Sequence, residues 1–140
     1  MPLERTLFIV KPDAVERRLI GRILAHVEEQ SFRIVEARFV RLQREEAQTF
    51  YAEHLGKPFF NDLVEFMTSG PVLLTVLERD NAVAKLREVI GATDPGEAAP
   101  GTIRRLYAES KGRNAVHASD SPPSAEREVK LFFGVAALAR

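Results

Sequence analysis

The chain has 140 residues and a mass of 15.7 kDa, with 45% hydrophobic and 29% charged residues, which predicts one ordinary globular domain over residues 1–140. Its 20 basic and 20 acidic residues cancel, so no global attraction to nucleic acid or an anionic membrane is indicated, although a local basic pocket is allowed. It contains no cysteine, which excludes disulfides, zinc–thiolate sites, iron–sulfur clusters and thiol nucleophiles, and fits a reducing cytoplasm.

The opening MPLERTLFIV lacks the basic stretch of a secretory leader. No apolar run approaches the ~18 residues of a membrane span. Leu7 to Val10, closed by Lys11-Pro12-Asp13, predicts a buried strand followed by a turn. Ile20, Ile23, Leu24 and Val27 fall at helical spacing. Arg33 to Leu42 alternates loosely and is β-branched, which predicts a second strand. Ala47, Phe50, Tyr51 and His54 or Leu55 return to the helical period. Phe60, Leu63, Phe66 and Met67 do so again, up to the stop at Ser69-Gly70-Pro71.

Val72 to Leu77 is the most apolar stretch and predicts a central strand. Asp80 is placed to cap a helix with Val83, Leu86 and Ile90 on its apolar face, and Gly91 ends it. Two prolines and two glycines make Ala92 to Gly101 a loop. Asn114 to Ala118 predicts a short strand, and Ser121-Pro122 opens a last helix through about Phe132. The order β-α-β-α-α-β-α-loop-β-α predicts an α/β (α+β) sandwich. A ferredoxin-like βαββαβ core, with a four-stranded, mostly antiparallel sheet covered by helices, fits that order.

The densest chemistry lies in Asn114-Ala115-Val116-His117-Ala118-Ser119-Asp120-Ser121. Imidazole is a competent nucleophile or base near neutral pH, and Glu128, one helix later, can fix its tautomer from the far nitrogen. By spacing alone a hydrogen-bonded structural histidine is the commoner reading. The other histidines, His26 and His54, stand too far from it and from each other for a local HxxxH metal motif. Arg87 and Arg104, with Thr93 between them in the chain, are candidate phosphate ligands, because a guanidinium fork suits phosphate oxygens. Most arginines are simply solvated. Lys11 ends an apolar strand, where a charge is costly unless it serves a cleft. No G-x-x-x-x-G-K-[ST] loop is present, so any phosphate cradle is built from side chains. Of Phe59 and Phe60, one belongs to a helix core and the other is free to stack against a base, unless both are core.

These residues occur in a series of motifs that resembles the nucleoside diphosphate kinase family over nearly the full length. The motifs are I-V-K-P-D-A at 9–14, F-Y-A-E-H at 50–54, K-P-F-F at 57–60, S-G-P-V at 69–72, G-A-T-D-P at 91–95, P-G-T-I-R at 100–104 and N-A-V-H-A-S-D-S at 114–121. The resemblance implies transfer of a γ-phosphate from a nucleoside triphosphate to a nucleoside diphosphate by a ping-pong route. His117 matches the residue that is phosphorylated on Nδ1, Glu128 the carboxylate that orients it, Ser119 the hydroxyl supporting that carboxylate, and Tyr51 the neighbouring aromatic. Lys11 and Asn114 match groups at the ribose 3′-hydroxyl, with Lys11 also near the transferred phosphate. Arg87, Thr93 and Arg104 match phosphate ligands, and Phe59 the stacking aromatic.

The resemblance further implies Mg²⁺ held mainly by nucleotide phosphates and water, with no protein metal site, and a cytoplasmic homo-oligomer with no membrane or specific nucleic-acid partner. Tetramers and hexamers both occur in the family, and the short tail ending at Arg140 favours the tetramer. The chain departs from the family pattern in three places. Ala118 stands where glycine is common. Arg105-Leu106-Tyr107 stands where a small residue, Asp and Phe are common. Lys111-Gly112-Arg113 stands where acidic residues are frequent. The last two predict a more basic entrance and salt-sensitive binding. A nucleotide-sensing module without turnover is the rival class, disfavoured by retention of His117, Lys11 and Arg87. DNA binding is disfavoured by neutral charge and the lack of a recognition motif.

Overall fold

The computed structural model describes residues 3–138. Within them, strands β1 (Leu3–Val10), β2 (Arg33–Val40), β3 (Val72–Asp80) and β4 (Val116–Ala118) form one sheet in the order β2-β3-β1-β4, and every neighbouring pair is antiparallel. The helices are α1 (Pro12–Glu16), α2 (Ile20–Glu29), α3 (Arg44–Phe50), α4 (Phe60–Thr68), α5 (Ala82–Ile90), α6 (Ile103–Tyr107) and α7 (Pro122–Phe133). The two helical crossovers, β1 to β2 and β3 to β4, each skip one strand, which is the ferredoxin-like arrangement the sequence predicts.

Alternation along the central strands divides the core into two layers. Phe8, Val10, Leu73 and Leu77 face α2, α5 and α6, where Ile23, Val27, Leu86, Ile90 and Ile103 are buried. Leu7, Ile9, Val72, Leu74 and Val76 face α3, α4 and α7, where Phe50, Val64, Met67, Val129 and Phe132 are buried. The central strands are apolar on both faces for this reason. The edge strand β2 is mostly exposed and carries Phe39 at 58% exposure. No helix among the described residues is long and apolar enough to cross a membrane.

The register positions the chemistry. β4 pairs with β1 so that Val116 lies opposite Val10, His117 opposite Ile9 and Ala118 opposite Phe8. Val116 and Ala118 therefore pack into the first layer, while His117 projects towards α3 and α7. Ser121 caps α7 by accepting from the Ser124 backbone N–H, a bond worth about 1 kcal/mol, and Pro122 supplies the first helical φ.

The structure corrects several local expectations. The turn expected at Lys11-Pro12-Asp13 begins helix α1, and Ile103–Tyr107 also forms a helix; each has five residues, too few to show a period. Asp80 does not cap α5. Asn81 is the N-cap residue, and Glu4 of β1 accepts from the Val83 backbone N–H at 2.8 Å. The helical period read through His54 or Leu55 breaks after Phe50 into a single 3₁₀ turn, Ala52–His54, with Leu55 exposed. In α4 the buried positions are Phe60, Val64 and Met67 rather than Leu63 and Phe66. β2 ends at Val40, and β4 starts only at Val116, because Ala115 has a positive φ of 72°.

Gly91 ends α5 at φ +86°, and a Cβ added there would lie 2.6 Å from Oγ1 of Thr102. Thr102 in turn caps α6 by accepting from the Arg105 backbone N–H.

Candidate active site

His117 sits on the short edge strand with 23% of its side chain exposed, and its ring meets that of Phe50 edge-on at 4.9 Å and 80°. Such a pair contributes about 0.5–1.5 kcal/mol and fixes the ring plane. Nε2 lies 2.9 Å from Oε1 of Glu128. The Ser119 hydroxyl donates to the same oxygen at 2.8 Å. Arg127 stands 3.6 Å from Glu128 Oε2. A carboxylate accepts, so Nε2 carries the ring proton and Nδ1 holds the lone pair. Nδ1 has no hydrogen-bond partner among the described residues. Burial pulls the imidazole below its ordinary pKa, outweighing the bond to and charge of Glu128, which raise it; the nearby charges of Lys11 and Arg104 lower it further.

Tyr51 follows α3 directly, with its ring 4.9 Å from that of Phe50. Burial, and then the Glu128 charge, push its phenol well above the usual range, so it remains a hydroxyl donor. Lys11, the N-cap residue of α1, donates from Nζ to Asn114 Oδ1 at 2.9 Å. Asn114 is itself held by its Nδ2 donating to the Lys111 carbonyl at 3.1 Å. The Lys11 ammonium is lowered to about 8, first by burial and then by Arg104, with Asp13 acting in the opposite direction.

Arg104 is 4% exposed and donates to two backbone carbonyls, Gly91 at 3.1 Å and Val116 at 2.9 Å. Its Nε is buried without a partner among the described residues, and burial and then Arg87 lower it to about 10. A buried cation tied to neutral acceptors is an anion site in waiting. Arg87 is exposed and is held by donation to the Ala118 carbonyl at 3.2 Å, with no carboxylate in ion-pair range among the described residues.

A cavity of about 170 Å³ joins His117, Glu128, Tyr51 and Arg87 with Phe50, Glu53, His54, Ala118 and Asp120. Thr93 lies outside it, in a shallower groove of about 480 Å³ that shares Arg87. Phe59 is 44% exposed, and its ring lies 5.3 Å from that of His54, with Lys57 Nζ 5.8 Å from its centre. Of the sequence-derived residues, His117, Glu128, Tyr51 and Arg87 line this cavity; Ser119 bonds to Glu128 and Arg104 to the Val116 carbonyl next to His117, while Lys11, Asn114, Thr93 and Phe59 are not among its lining residues.

Phe50 and His54 were not assigned to the site from the sequence. Phe50 reads as helix core, and His54 is ambiguous there, yet both line the cavity, and His54 Nδ1 is a buried atom without a partner among the described residues. The signal was the F-Y-A-E-H run itself, which carries both residues beside Tyr51. His26 is on α2, away from the cavity. Of the cations expected to make the entrance basic, Arg113 pairs with Glu109 at 3.2 Å and lies over the Phe66 ring at 5.7 Å, so its charge is spent locally.

No group of three His, Asp or Glu side chains able to cage a metal occurs among the described residues. The donor set fits a divalent ion that arrives on phosphate oxygens, with Asp120 and Glu53 the exposed carboxylates that line the cavity.

Residues 4–138 match the family model described as nucleoside diphosphate kinase. A nucleoside diphosphate kinase of Halorhodospira halophila is 58% identical over 133 residues, covering 95% of this chain and 94% of the relative. The crystal structure of the Aquifex aeolicus nucleoside diphosphate kinase superposes with a TM-score of 0.94 at 45% identity, over 99% of this chain and 100% of the other. A Halobacterium salinarum nucleoside diphosphate kinase in complex with CDP superposes with a TM-score of 0.92 at 45% identity, over 98% of this chain and 91% of the other.

Proposed function

The chain belongs to the nucleoside diphosphate kinase family, and we propose that His117 is the residue through which it passes phosphate between nucleotides. It is a phosphotransferase acting on nucleotides. The observation that carries the residue assignment is the bond from Nε2 to Glu128 at 2.9 Å, which leaves Nδ1 as the ring's unengaged nitrogen beside an arginine-edged cavity.

The Nδ1 lone pair attacks the γ-phosphorus of a nucleoside triphosphate. An N–P bond forms as the P–O bond to the β-phosphate oxygen breaks, and the nucleoside diphosphate leaves with that electron pair. A second nucleoside diphosphate enters the same cavity, its terminal oxygen attacks phosphorus, and the N–P bond breaks. The Nε2 proton stays on the ring throughout, against Glu128, which neutralises the positive charge that develops there. Ser119 locks the carboxylate. Arg87 and Arg104 offset charge on the equatorial oxygens, and Thr93 extends the phosphate grip. Tyr51 and Lys11 border the reacting phosphate as donors, and Lys11 with Asn114 takes the ribose 3′-hydroxyl. Phe59 stacks on the base, which makes binding tolerant of base identity.

Enzymes of this family use a divalent metal. We assign Mg²⁺, carried on the nucleotide's phosphates with Asp120 at hand, where it would neutralise phosphate charge. We read residues 1–140 as a single catalytic domain in the cytoplasm. We further read the protein as a homo-oligomer, a tetramer or a hexamer. The exposed Phe39 and Val135 are apolar surface that such contacts would cover, and light scattering distinguishes the two. The terminus at Arg140, the ground for favouring a tetramer, lies outside the described residues.

Incubation with γ-labelled ATP tests the site. The wild type should acquire an acid-labile, alkali-stable label and convert GDP to GTP, and His117→Ala should do neither. An unlabelled wild type, or equal label on the variant, overturns the assignment.

A further inference from the structure

We propose that Asp13 is a positioning residue for the phosphoryl transfer: its carboxylate clamps the left-handed turn at Ala115 and so sets where Lys11, Asn114 and His117 stand around the cavity. The proposal rests on the assignment of His117 made above.

Asp13 is 1% exposed and does not line the cavity. Its Oδ2 accepts from the Ala115 backbone N–H at 2.9 Å, across 102 positions of sequence. Ala115 has φ +72°, where an alanine methyl is crowded and glycine is not. The Val116 N–H donates to the Asn114 carbonyl at 2.9 Å, closing a tight turn centred on Ala115, a rare and strained form. The Ala115 carbonyl accepts from the Lys11 N–H at 2.9 Å. Both backbone polar groups of Ala115 are therefore gripped by the segment Lys11-Pro12-Asp13.

The neighbours of this turn are the reacting groups. Asn114, on one side, receives the Lys11 ammonium. Val116, on the other, starts the three-residue strand that carries His117. If the turn relaxed to negative φ, the chain direction would change between Asn114 and His117, and both would leave their partners. Asp13 Oδ1 is buried without a partner among the described residues. Burying a carboxylate with one oxygen unsatisfied is costly, and a residue needed only to fill space would be apolar. Strain held in place by its surroundings beside a reacting group is a known way of keeping a site in one geometry.

The test compares Asp13→Ala, Ala115→Gly and the double variant. Each is assayed below its melting temperature for the single-turnover rate of His117 phosphorylation by ATP. Asp13→Ala should lose about a hundred-fold in rate, the scale of a small misplacement of reacting groups. Ala115→Gly alone should stay near wild type. In the double variant glycine adopts the turn without strain, so most of the lost rate should return. A folded Asp13→Ala with the wild-type rate, or a double variant as slow as Asp13→Ala, overturns the proposal. If Asp13→Ala does not fold, the double variant decides alone: folded and active supports the clamp, unfolded or inactive overturns it. Absence of label on the wild type in the same assay defeats the His117 assignment instead.

Discussion

Glu128 Oε1 lies 2.9 Å from Nε2 of His117, and the same oxygen is shared with the Ser119 hydroxyl at 2.8 Å. The carboxylate thereby engages the ring nitrogen opposite Nδ1, the one proposed to attack phosphorus. Glu128→Ala should reduce the rate of His117 phosphorylation by about a hundred-fold, in the range of a lost acid–base or orienting partner, while KM changes little. Rapid-quench kinetics separates the two. A KM effect equal to the kcat effect would place Glu128 on the substrate instead.

The pH profile follows from two shifted groups. His117 is held below its ordinary value by burial, so the acid limb of kcat/KM should lie below pH 6.5, with the ring neutral and nucleophilic at pH 7. Lys11 is lowered to about 8 by burial, so the basic limb in the free enzyme should fall near pH 8, and Lys11→Arg should move it upward. The same lysine affects stability. Its unfolded value is 10.5, so between about 8 and 10.5 the folded state binds fewer protons than the unfolded one. Its contribution to stability therefore rises with pH across that window, and Lys11→Met should remove that part of the slope in denaturant titrations.

Arg104 is predicted to be nearly neutral for the fold and decisive for the ligand. Its two charge-assisted bonds to carbonyls contribute about 1.5–3 kcal/mol each, offset by the several kcal/mol that an unpaired buried cation costs. Arg104→Met should thus change the melting temperature of the free protein little. Nucleoside diphosphate at about 100 times Kd adds about 2.7 kcal/mol, roughly 8 °C, to the wild type, and that gain should vanish in the variant. Scanning calorimetry with and without ADP reads both.

Phe59 is 44% exposed, with its ring 5.3 Å from that of His54. Phe59→Ala should raise KM about ten-fold, the lower part of the range for one stacked base, and by similar factors for ATP, GTP and CTP. A loss confined to one base would mean that hydrogen bonding, not stacking, recognises the substrate.

Salt should act through Arg87. That guanidinium is exposed and unpaired with carboxylates among the described residues, whereas Arg104 is buried and Arg113 is neutralised by Glu109. KM should rise between about 0.05 M and about 0.5 M salt, and Arg87→Ala should flatten the dependence.

The sheet was legible in the sequence because Leu7–Val10 and Val72–Leu77 are buried on both faces and leave uninterrupted apolar runs. The start of α7 was legible because Ser121-Pro122 is local capping chemistry. What escaped was non-local. The cap of α5 comes from Glu4, 79 residues away, and no window around Asp80 contains it. α1 and α6 are too short for periodicity to register. The left-handed Ala115 escaped because alanine gives no warning of a positive φ. At the site, single residues such as His117 and Arg104 are ambiguous by spacing, and only the ordered motifs single them out as candidates. Phe50 escaped because a core phenylalanine and one that walls a catalytic ring look alike in sequence.

The close approach of Gly91 to Thr102 also bears on how natural variants of this protein should be judged. The Gly91 carbonyl receives Arg104, and Thr102 caps the helix that carries it, so one methyl at position 91 would displace both supports of that guanidinium together. A glycine-to-alanine change, among the mildest in chemical terms, would there disable an enzyme whose every substrate-touching group is intact, and screening that inspects those groups alone would pass it as harmless.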